Sequence, residues 1–138
     1  MSYATAEDMI KRFSLVELVN LAPLEMQGEY DAQKVTIALA DSESEINSYL
    51  STRYTVPLDS PPEIIESACC DLARYRLYAS HTTEEVQQRY KDRIKWLISV
   101  AKGEASLGIS EQTATKSAGK LVTSAQDRTF TRDTLAGY

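Results

Sequence analysis

The region from Asp31 to about Thr52 limits the possible folds of this chain more than any other part. Its apolar positions recur at spacings of 4, 3, 4, 3 and 1, which places them on one stripe of a helix. The stripe consists of Val35, Leu39, Ser42, Ile46, Tyr49 and Leu50. Asp31 is suited to cap this helix, and about 21 residues at 1.5 Å each make a rod of about 30 Å. Such a rod needs other helices to cover its apolar stripe.

Two further long helices are predicted downstream. The run Ser60-Pro61-Pro62-Glu63 indicates a helix start, because proline in the first turn loses no hydrogen bond. That helix is expected to end near residues 80–81. Thr82 and Glu85 have capping-box spacing for another helix, which should end at Gly103. The inner face of the first helix consists of Ile65, Ala68, Cys69, Leu72, Ala73 and Arg76. The inner face of the second consists of Val86, Tyr90, Ile94 or Arg93, Leu97 and Ala101. The short turn between the helices predicts that they lie antiparallel.

The sequence therefore predicts a mainly α fold, a small bundle of about four helices with a polar, extended C-terminal arm. Thr5 and Ser14 are suited to cap two short N-terminal helices. The segment from Arg53 to Leu58 breaks the helical period and is expected to be a strand-like connector. We place the helical domain at residues 1–103 and the arm at residues 104–138. The largely buried residues should be Leu39, Ile46, Leu50, Ile65, Leu72, Tyr90 and Leu97.

The arm differs in composition from the helices. Ten of the 36 residues from Gly103 onwards are Ser or Thr, and no helical or strand period persists. A segment this polar cannot offset its own ordering entropy. It nevertheless contains scattered apolar residues, namely Leu121, Val122, Phe130, Leu135 and Tyr138. We expect the arm to be mobile in the free subunit from about Ser110 and to become ordered on a partner. Its candidate contact residues are Arg128, Phe130, Arg132, Leu135 and Tyr138.

Composition excludes several classes of function. The chain has 15 Lys and Arg against 20 Asp and Glu, and a net charge of −5 disfavours tight binding of duplex DNA. Two cysteines and one histidine are too few for a zinc site of four cysteines, or of two cysteines and two histidines. No apolar run reaches the roughly 18–20 residues of a membrane span, and the first residues lack the pattern of a secretory signal. We expect no cofactor, no metal and no membrane.

Catalysis is not predicted from the remaining candidates. Cys69 and Cys70 are neighbours on a helix and point about 100° apart, so we expect two buried, reduced thiols. His81 lies 12 residues from Cys69 on the same predicted helix, about 18 Å along the axis. The acidic residues Asp41 and Glu43 are spread around their helix and do not converge on one point.

The segment from Asp71 to Tyr78 is the best candidate for an interface in the helical part. Arginine and tyrosine are enriched at protein interfaces, which singles out Arg74, Tyr75 and Tyr78. The alternative is that the tyrosines fill the edge of the core and that Asp71 pairs with Arg74 at i,i+3. The basic run Arg89, Lys91, Arg93 and Lys95 is spaced at i,i+2, so it favours a solvated face over a DNA contact.

Five sets of residues, in this order along the chain, carry a family resemblance. They are Tyr3–Asp8 with Arg12 and Phe13, Ile46–Tyr54 with Val56–Leu58, Ala68–Leu77, Glu84–Val86 with Arg89, Tyr90, Trp96 and Leu97, and Arg128–Leu135 before Gly137 and Tyr138. Together they resemble the Mu-like prophage gene-product-thirty-six family, small virion proteins encoded among head genes. In helical layout the chain is also similar to the head–tail connector proteins of tailed phages.

The resemblance implies a structural virion protein in the neck of the particle, assembled in the cytoplasm of the bacterial host. Such proteins form a ring under the portal, commonly of about twelve copies, through head-to-tail contacts. The implied partners are further copies of the chain, the portal protein and a tail or tail-terminator protein, while DNA only passes through the channel. The family offers no catalytic residues to carry over. A small cytosolic helical adaptor, acting as monomer or dimer, is the alternative.

Overall fold

A computed structural model of the chain describes residues 2–111. This range contains five α-helices: α1 (Ala6–Arg12), α2 (Leu15–Leu21), α3 (Ala32–Leu50), α4 (Glu63–Tyr78) and α5 (Glu84–Lys102). A short 3-10 turn, Ala79–His81, joins α4 to α5. Residues 2–111 contain no strand, and a single antiparallel bridge pairs Pro23 with Tyr30. The mainly α prediction is confirmed.

Most of the predicted helix ends are confirmed by their hydrogen bonds. The Thr5 hydroxyl accepts the N–H of Asp8, whose carboxylate accepts the N–H of Thr5 in return. Asp31 accepts the N–H groups of Gln33 and Lys34 at the start of α3. Gly103 ends α5 with a φ of 88°, the left-handed conformation that glycine adopts without strain.

The predicted cap of α5 was one residue too early. The hydroxyl of Thr83, not that of Thr82, accepts the N–H of Val86. Thr82 and Thr83 both have extended backbone conformations, so the backbone suits either residue as a cap, and it is the Thr83 hydroxyl that meets an N–H of the first turn. A Ser/Thr pair at a helix start leaves this choice open in sequence, because either hydroxyl could accept the bond.

Helices α3, α4 and α5 pack against one another and form the core. Of the residues predicted to be buried, Leu39, Ile46, Leu50, Ile65, Leu72 and Leu97 are confirmed. Tyr90 is only half-buried, because its hydroxyl reaches out to Glu45 on α3. Near its C-terminal end, α5 buries Val100 more fully than Ala101. Small buried residues in the middle of α4 permit this close packing, namely Ala68, Cys69, Cys70 and Ala73.

The segment from Arg53 to Leu58 is not strand-like. It is a run of turns and bends that includes a cis peptide bond between Val56 and Pro57. The physical reason is that the N–H groups of Arg53 and Tyr54 both donate to the carbonyl of Leu50, so the turn at the end of α3 continues into the connector. Tyr54 and Leu58 are both buried in the core. The hydroxyl of Tyr3 accepts the N–H of Leu58 at 2.9 Å and so ties this connector to the N-terminal segment.

The chain after α5 returns to the C-terminal end of α3. Leu107 is buried and donates its N–H to the Tyr54 hydroxyl at 3.2 Å. The guanidinium of Arg53 donates to the carbonyls of Val100 and Ala105 and pairs with Glu111. The first eight residues beyond Gly103, 104–111, are therefore packed on the helical body. The remainder of the predicted arm lies outside the described residues.

Candidate interface and its supporting contacts

Two of the predicted interface residues, Arg74 and Tyr78, meet at one carboxylate of α2. The Nε atom of Arg74 donates to Glu17 at 2.7 Å, and the Tyr78 hydroxyl donates to the same oxygen at 2.7 Å. The guanidinium also lies over the ring of Phe13, 4.4 Å from its centroid. The Arg74 side chain is only 13% exposed. These two residues thus hold α2 and the end of α1 against α4 within one chain.

The shared carboxylate changes the chemistry of Tyr78. The hydrogen bond to Glu17 raises the pKa of the Tyr78 hydroxyl, because losing the proton would place two negative charges side by side. Tyr78 therefore remains a hydrogen-bond donor over the ordinary pH range. A donor held in this way fixes the distance between α2 and the C-terminal end of α4.

The third predicted interface residue, Tyr75, lies at the seam between α4 and α5. Its ring stacks on that of Tyr90, with centroids 4.0 Å apart and planes inclined by 14°. Glu45 of α3 accepts the Tyr90 hydroxyl at 2.9 Å and pairs with Arg76 at 2.5 Å. Burial and the neighbouring Glu45 raise the pKa of Tyr90 to about 12. One carboxylate therefore links the three core helices.

A third seam is built on Asp71, which is 7% exposed. Arg93 of α5 donates from Nε to this carboxylate at 2.7 Å and from its second nitrogen to the Ser67 hydroxyl at 2.7 Å. The predicted pairing of Asp71 with Arg74 is wrong, because Arg74 points to α2 and Asp71 to α5. Arg89 also pairs with Glu85 of its own helix at i,i+4, at 3.3 Å.

The two thiols are buried and unbridged, as predicted. Burial raises the pKa of Cys69 and of Cys70 to about 12, so both remain protonated at neutral pH. The Cys69 thiol donates weakly to the carbonyl of Leu39, 3.7 Å away. Thiols of this kind pack the α3–α4 contact and are poor nucleophiles.

Arginine and lysine are used differently in residues 2–111. All six arginines of this range take part in ion pairs, and none of its five lysines does. Lys91, Lys95 and Lys102 follow one exposed edge of α5 together with Ile98. The arginines belong to the internal contacts, whereas the lysines remain on the surface. The basic run of α5 is therefore divided, since Arg89 and Arg93 turn to Asp71 and the lysines face solvent.

Exposed apolar side chains gather near one end of the described body. Seven large apolar side chains are exposed in residues 2–111, and five of them fall between residues 15 and 37. Those five are Leu15, Val16, Leu24, Met26 and Ile37. Beside them an open groove of about 610 Å³ runs between α2, the first turn of α3 and the end of α4. We call it the end groove; its lining includes Val16, Leu21, Leu77, Tyr78 and Ala79.

Sequence reasoning missed the end groove, although a signal was present. A helix of two turns can bury only one narrow face, yet α2 carries Leu15, Val16, Leu18, Val19 and Leu21. The surplus of apolar residues indicated an additional contact. The structure buries Leu18 and leaves Val16 69% exposed.

The other predicted interface residues, Arg128, Phe130, Arg132, Leu135 and Tyr138, lie outside the described residues. Among residues 2–111, no group of three or more His, Cys, Asp and Glu side chains is arranged to hold a metal ion. His81 is exposed in the turn after α4. No helix in that part of the chain is both long and apolar enough to cross a membrane.

The fold and these contacts define, over residues 2–111, a small helical body with a well-packed core and one end at which apolar side chains are exposed. The family described as Bacteriophage Mu, Gp36 matches residues 3–125, and the chain belongs to that family. The Mu-like prophage FluMu protein gp36 of Haemophilus influenzae is 38% identical over 138 residues, 99% of this chain and 97% of that protein. Gene product J of Escherichia phage Mu is 32% identical over 121 residues, 87% of this chain and 86% of that protein. The predicted family resemblance is confirmed, and membership implies a structural or virion-related role in a phage.

Proposed function

We propose that this protein is a head–tail connector, a structural virion protein that forms a ring under the portal, extends the DNA channel and joins the head to the tail. The observation that carries the proposal is the family match, which covers nearly the whole chain. The partners are further copies of the chain, about twelve in a ring that matches the portal, together with the portal and a tail or tail-terminator protein.

The side-chain contacts are consistent with a subunit that is rigid before it assembles. Glu17, Glu45 and Asp71 each accept hydrogen bonds from another helix, so the helices are fixed relative to one another. A ring of identical subunits needs this rigidity, because small errors in the angle between neighbours add up around the ring and prevent closure. Within this proposal Arg74, Tyr75 and Tyr78 position the contact surfaces from within the subunit.

The charge of the body is consistent with a channel that DNA passes through without being held. Residues 2–111 carry 18 Asp and Glu against 11 Lys and Arg. A surface with this excess of negative charge lacks the counterion release that makes basic proteins bind DNA tightly. Specific recognition of DNA has no part in the proposal.

The test is assembly with the portal. We expect sedimentation velocity of the full chain mixed with portal protein to show a complex with a ring of this protein. Phage particles made without it should contain packaged DNA and lack tails. A chain that remains monomeric or dimeric and ignores portal and tail proteins would instead support the small cytosolic adaptor and would contradict the connector.

A further inference from the structure

One exposed face of α5 is basic, although the described body as a whole is acidic. Three of the five lysines of residues 2–111 lie on it, and none of the three makes an ion pair within that range. The face consists of Lys91, Lys95, Ile98 and Lys102, and we call it the lysine face. Asp92 is rotated by about 100° from Lys91 and accepts the amide of Gln88. The lysine face has an excess of positive charge even when Asp92 is counted.

An open groove of the opposite charge separates the N-terminal segment from α3. Its volume is about 560 Å³, and it is lined by residues 2 and 4–6 and by one side of α3 from Thr36 to Asn47. The only charged residue among these described lining residues is Glu43. The two stretches that form the walls, residues 2–10 and 35–50, contain five Asp and Glu and no Lys or Arg. We call this depression the N-terminal groove.

The lysine face and the N-terminal groove match in length as well as in charge. Lys91 and Lys102 are eleven residues apart, as are Thr36 and Asn47 at the two ends of the α3 wall. Each surface is therefore about 16 Å long. The small side chain of Ala40 lies in the middle of that wall. It leaves room for a large apolar side chain and for the aliphatic stems of lysines.

The two surfaces of one copy cannot meet each other. Glu43 accepts the N–H of Tyr3 at 3.3 Å, whereas Glu45 accepts the hydroxyl of Tyr90 on α5 at 2.9 Å. Positions two apart on a helix point about 200° apart, so the N-terminal groove and α5 lie on opposite sides of α3. The lysine face is turned further away, because Val100 is buried on the other side of α5. Filling the groove with a lysine face requires a second molecule.

We infer that the lysine face of one copy binds in the N-terminal groove of the next copy, with Ile98 against Ala40 and the lysines towards Glu43 and its acidic surroundings. The contact is head-to-tail, because it joins two different surfaces of the same chain. Each copy can therefore bind one neighbour on either side, as a closed ring requires. The lysines fix the register, and the apolar surface removed from water stabilises the contact. This inference rests on the proposed ring and names the contact between its subunits.

Two variants of the full chain each block one side of the contact. Lys95→Glu reverses a charge on the lysine face, and Ala40→Tyr fills the groove. Both residues are exposed, so the helical circular dichroism should stay unchanged. We expect the wild type to associate beyond the dimer in sedimentation equilibrium at low salt, and each variant alone to associate at least about tenfold more weakly.

Mixing the two blocked variants tests whether the contact is head-to-tail. An equal mixture should form a dimer and nothing larger, because one intact lysine face meets one intact groove. Lys11→Glu is the matched control and should associate like the wild type. Lys11 is an exposed lysine of α1 that makes no ion pair within residues 2–111.

A disulfide test detects the same contact even when it is short-lived. Ala40→Cys and Ile98→Cys are prepared as separate chains and mixed under oxidising conditions. We expect a cross-linked dimer of the two, because a disulfide can form where the Cα atoms come within about 7 Å. Burial raises the pKa of Cys69 and Cys70 to about 12, so the native thiols do not compete. Ala40→Cys mixed with Lys11→Cys should give no such product.

Absence of the mixed disulfide, or equal association of Lys95→Glu and Lys11→Glu, would overturn the inference. Failure of the connector proposal gives a different result. Assembly with portal that Lys95→Glu leaves intact rejects only this contact. Association that Lys95→Glu abolishes, in a chain that does not bind portal, rejects only the connector.

Discussion

The centre of the bundle and its α2 end differ in which side chains are buried and which are exposed. The buried and half-buried polar side chains of α4 have partners on other helices. Asp71 pairs with Arg93 of α5, and Arg74 pairs with Glu17 of α2. At the α2 end several large apolar side chains are exposed among polar ones, and Val16 and Met26 have most of their surface in water. Satisfied polar seams fix the shape of a subunit, whereas exposed apolar surface provides free energy for association.

Glu17 connects these two regions. It receives Arg74 and Tyr78 from the central helix and also lines the end groove. Its contacts hold α2 against α4 beside the groove. A change at the centre can therefore alter the end without touching its apolar residues.

The largest effect should come from titrating the buried thiols of the central helix. Burial raises the pKa of Cys69 and Cys70 from 9.0 to about 12, so the folded chain keeps protons that the unfolded chain releases. This contribution to stability is complete below the pKa of the unfolded thiols, near 9, and is lost as the pH rises towards 12, by at least about 4 kcal/mol for the pair. Urea unfolding followed by circular dichroism between pH 7 and pH 12 measures this loss.

The control for the alkaline effect is Cys69→Ala with Cys70→Ala. This double variant should be less stable at pH 7, because it leaves small cavities, but its stability should fall less between pH 9 and pH 12. We expect it to remain able to assemble. An equally steep loss in the double variant would assign the effect to tyrosines, Tyr90 foremost, whose pKa is also raised to about 12.

Shortening a side chain to alanine should reduce stability much more in the centre than at the α2 end. Leu72→Ala removes a fully buried side chain from the centre and should reduce the free energy of unfolding by about 2–5 kcal/mol. Val16→Ala at the exposed end should change it by less than about 0.5 kcal/mol. Thermal or urea denaturation of the two variants gives the comparison. Similar losses in both would show that Val16 is already buried in the free protein.

Replacing Glu17 removes the side-chain contacts that connect the two regions. Glu17→Ala should destabilise the chain by about 1–3 kcal/mol, because Arg74 and Tyr78 lose their common acceptor in a partly buried site. Glu25→Ala is the matched control, since Glu25 is exposed and makes no ion pair among residues 2–111. Chemical denaturation provides the values, and hydrogen exchange should show the loss of protection concentrated in α2. Uniform loss over all helices would contradict the assigned role.

The smallest effect is expected at Ala79, where α4 ends. Ala79 has a φ of 51° and a ψ of −119°, a conformation in which a side chain is strained and glycine is not. Ala79→Gly should therefore stabilise the protein by about 0.5–1 kcal/mol. A melting temperature that does not rise would show that the contacts of the Ala79 methyl group in the end groove outweigh the strain.

The helices could be predicted from the sequence because the residues that define them are close together in the chain. The caps at Thr5, Asp31 and Gly103 depend on residues within one turn, and the stripe of α3 on a regular period. The bends between Arg53 and Leu58 could not be predicted in the same way. They depend on Tyr54 entering a core that is complete only when all helices are in place.

Pairing of charges was the least predictable feature. Asp71 has Arg74 one turn away on its own helix, yet it pairs with Arg93, 22 residues further along the chain. Spacing in the sequence predicts ion pairs only between residues close together on one helix. In the folded protein the partner is set by which helix packs opposite. The interface residues Arg74, Tyr75 and Tyr78 were singled out for their composition, and that same composition is what three helices need at their mutual seams.

The division between arginine and lysine has a practical consequence. None of the five lysines of residues 2–111 makes an ion pair within that range, so acetylation or labelling of amines leaves the charged seams of the body intact, although it alters the donor at Lys34, whose Nζ bonds to the carbonyl of Leu21. Such a reaction deepens the negative charge of residues 2–111 by five, the number of lysines there. The surface potential of this subunit can thus be changed over a wide range while its shape is preserved. Solubility and the mutual repulsion of copies become adjustable without redesign of the fold.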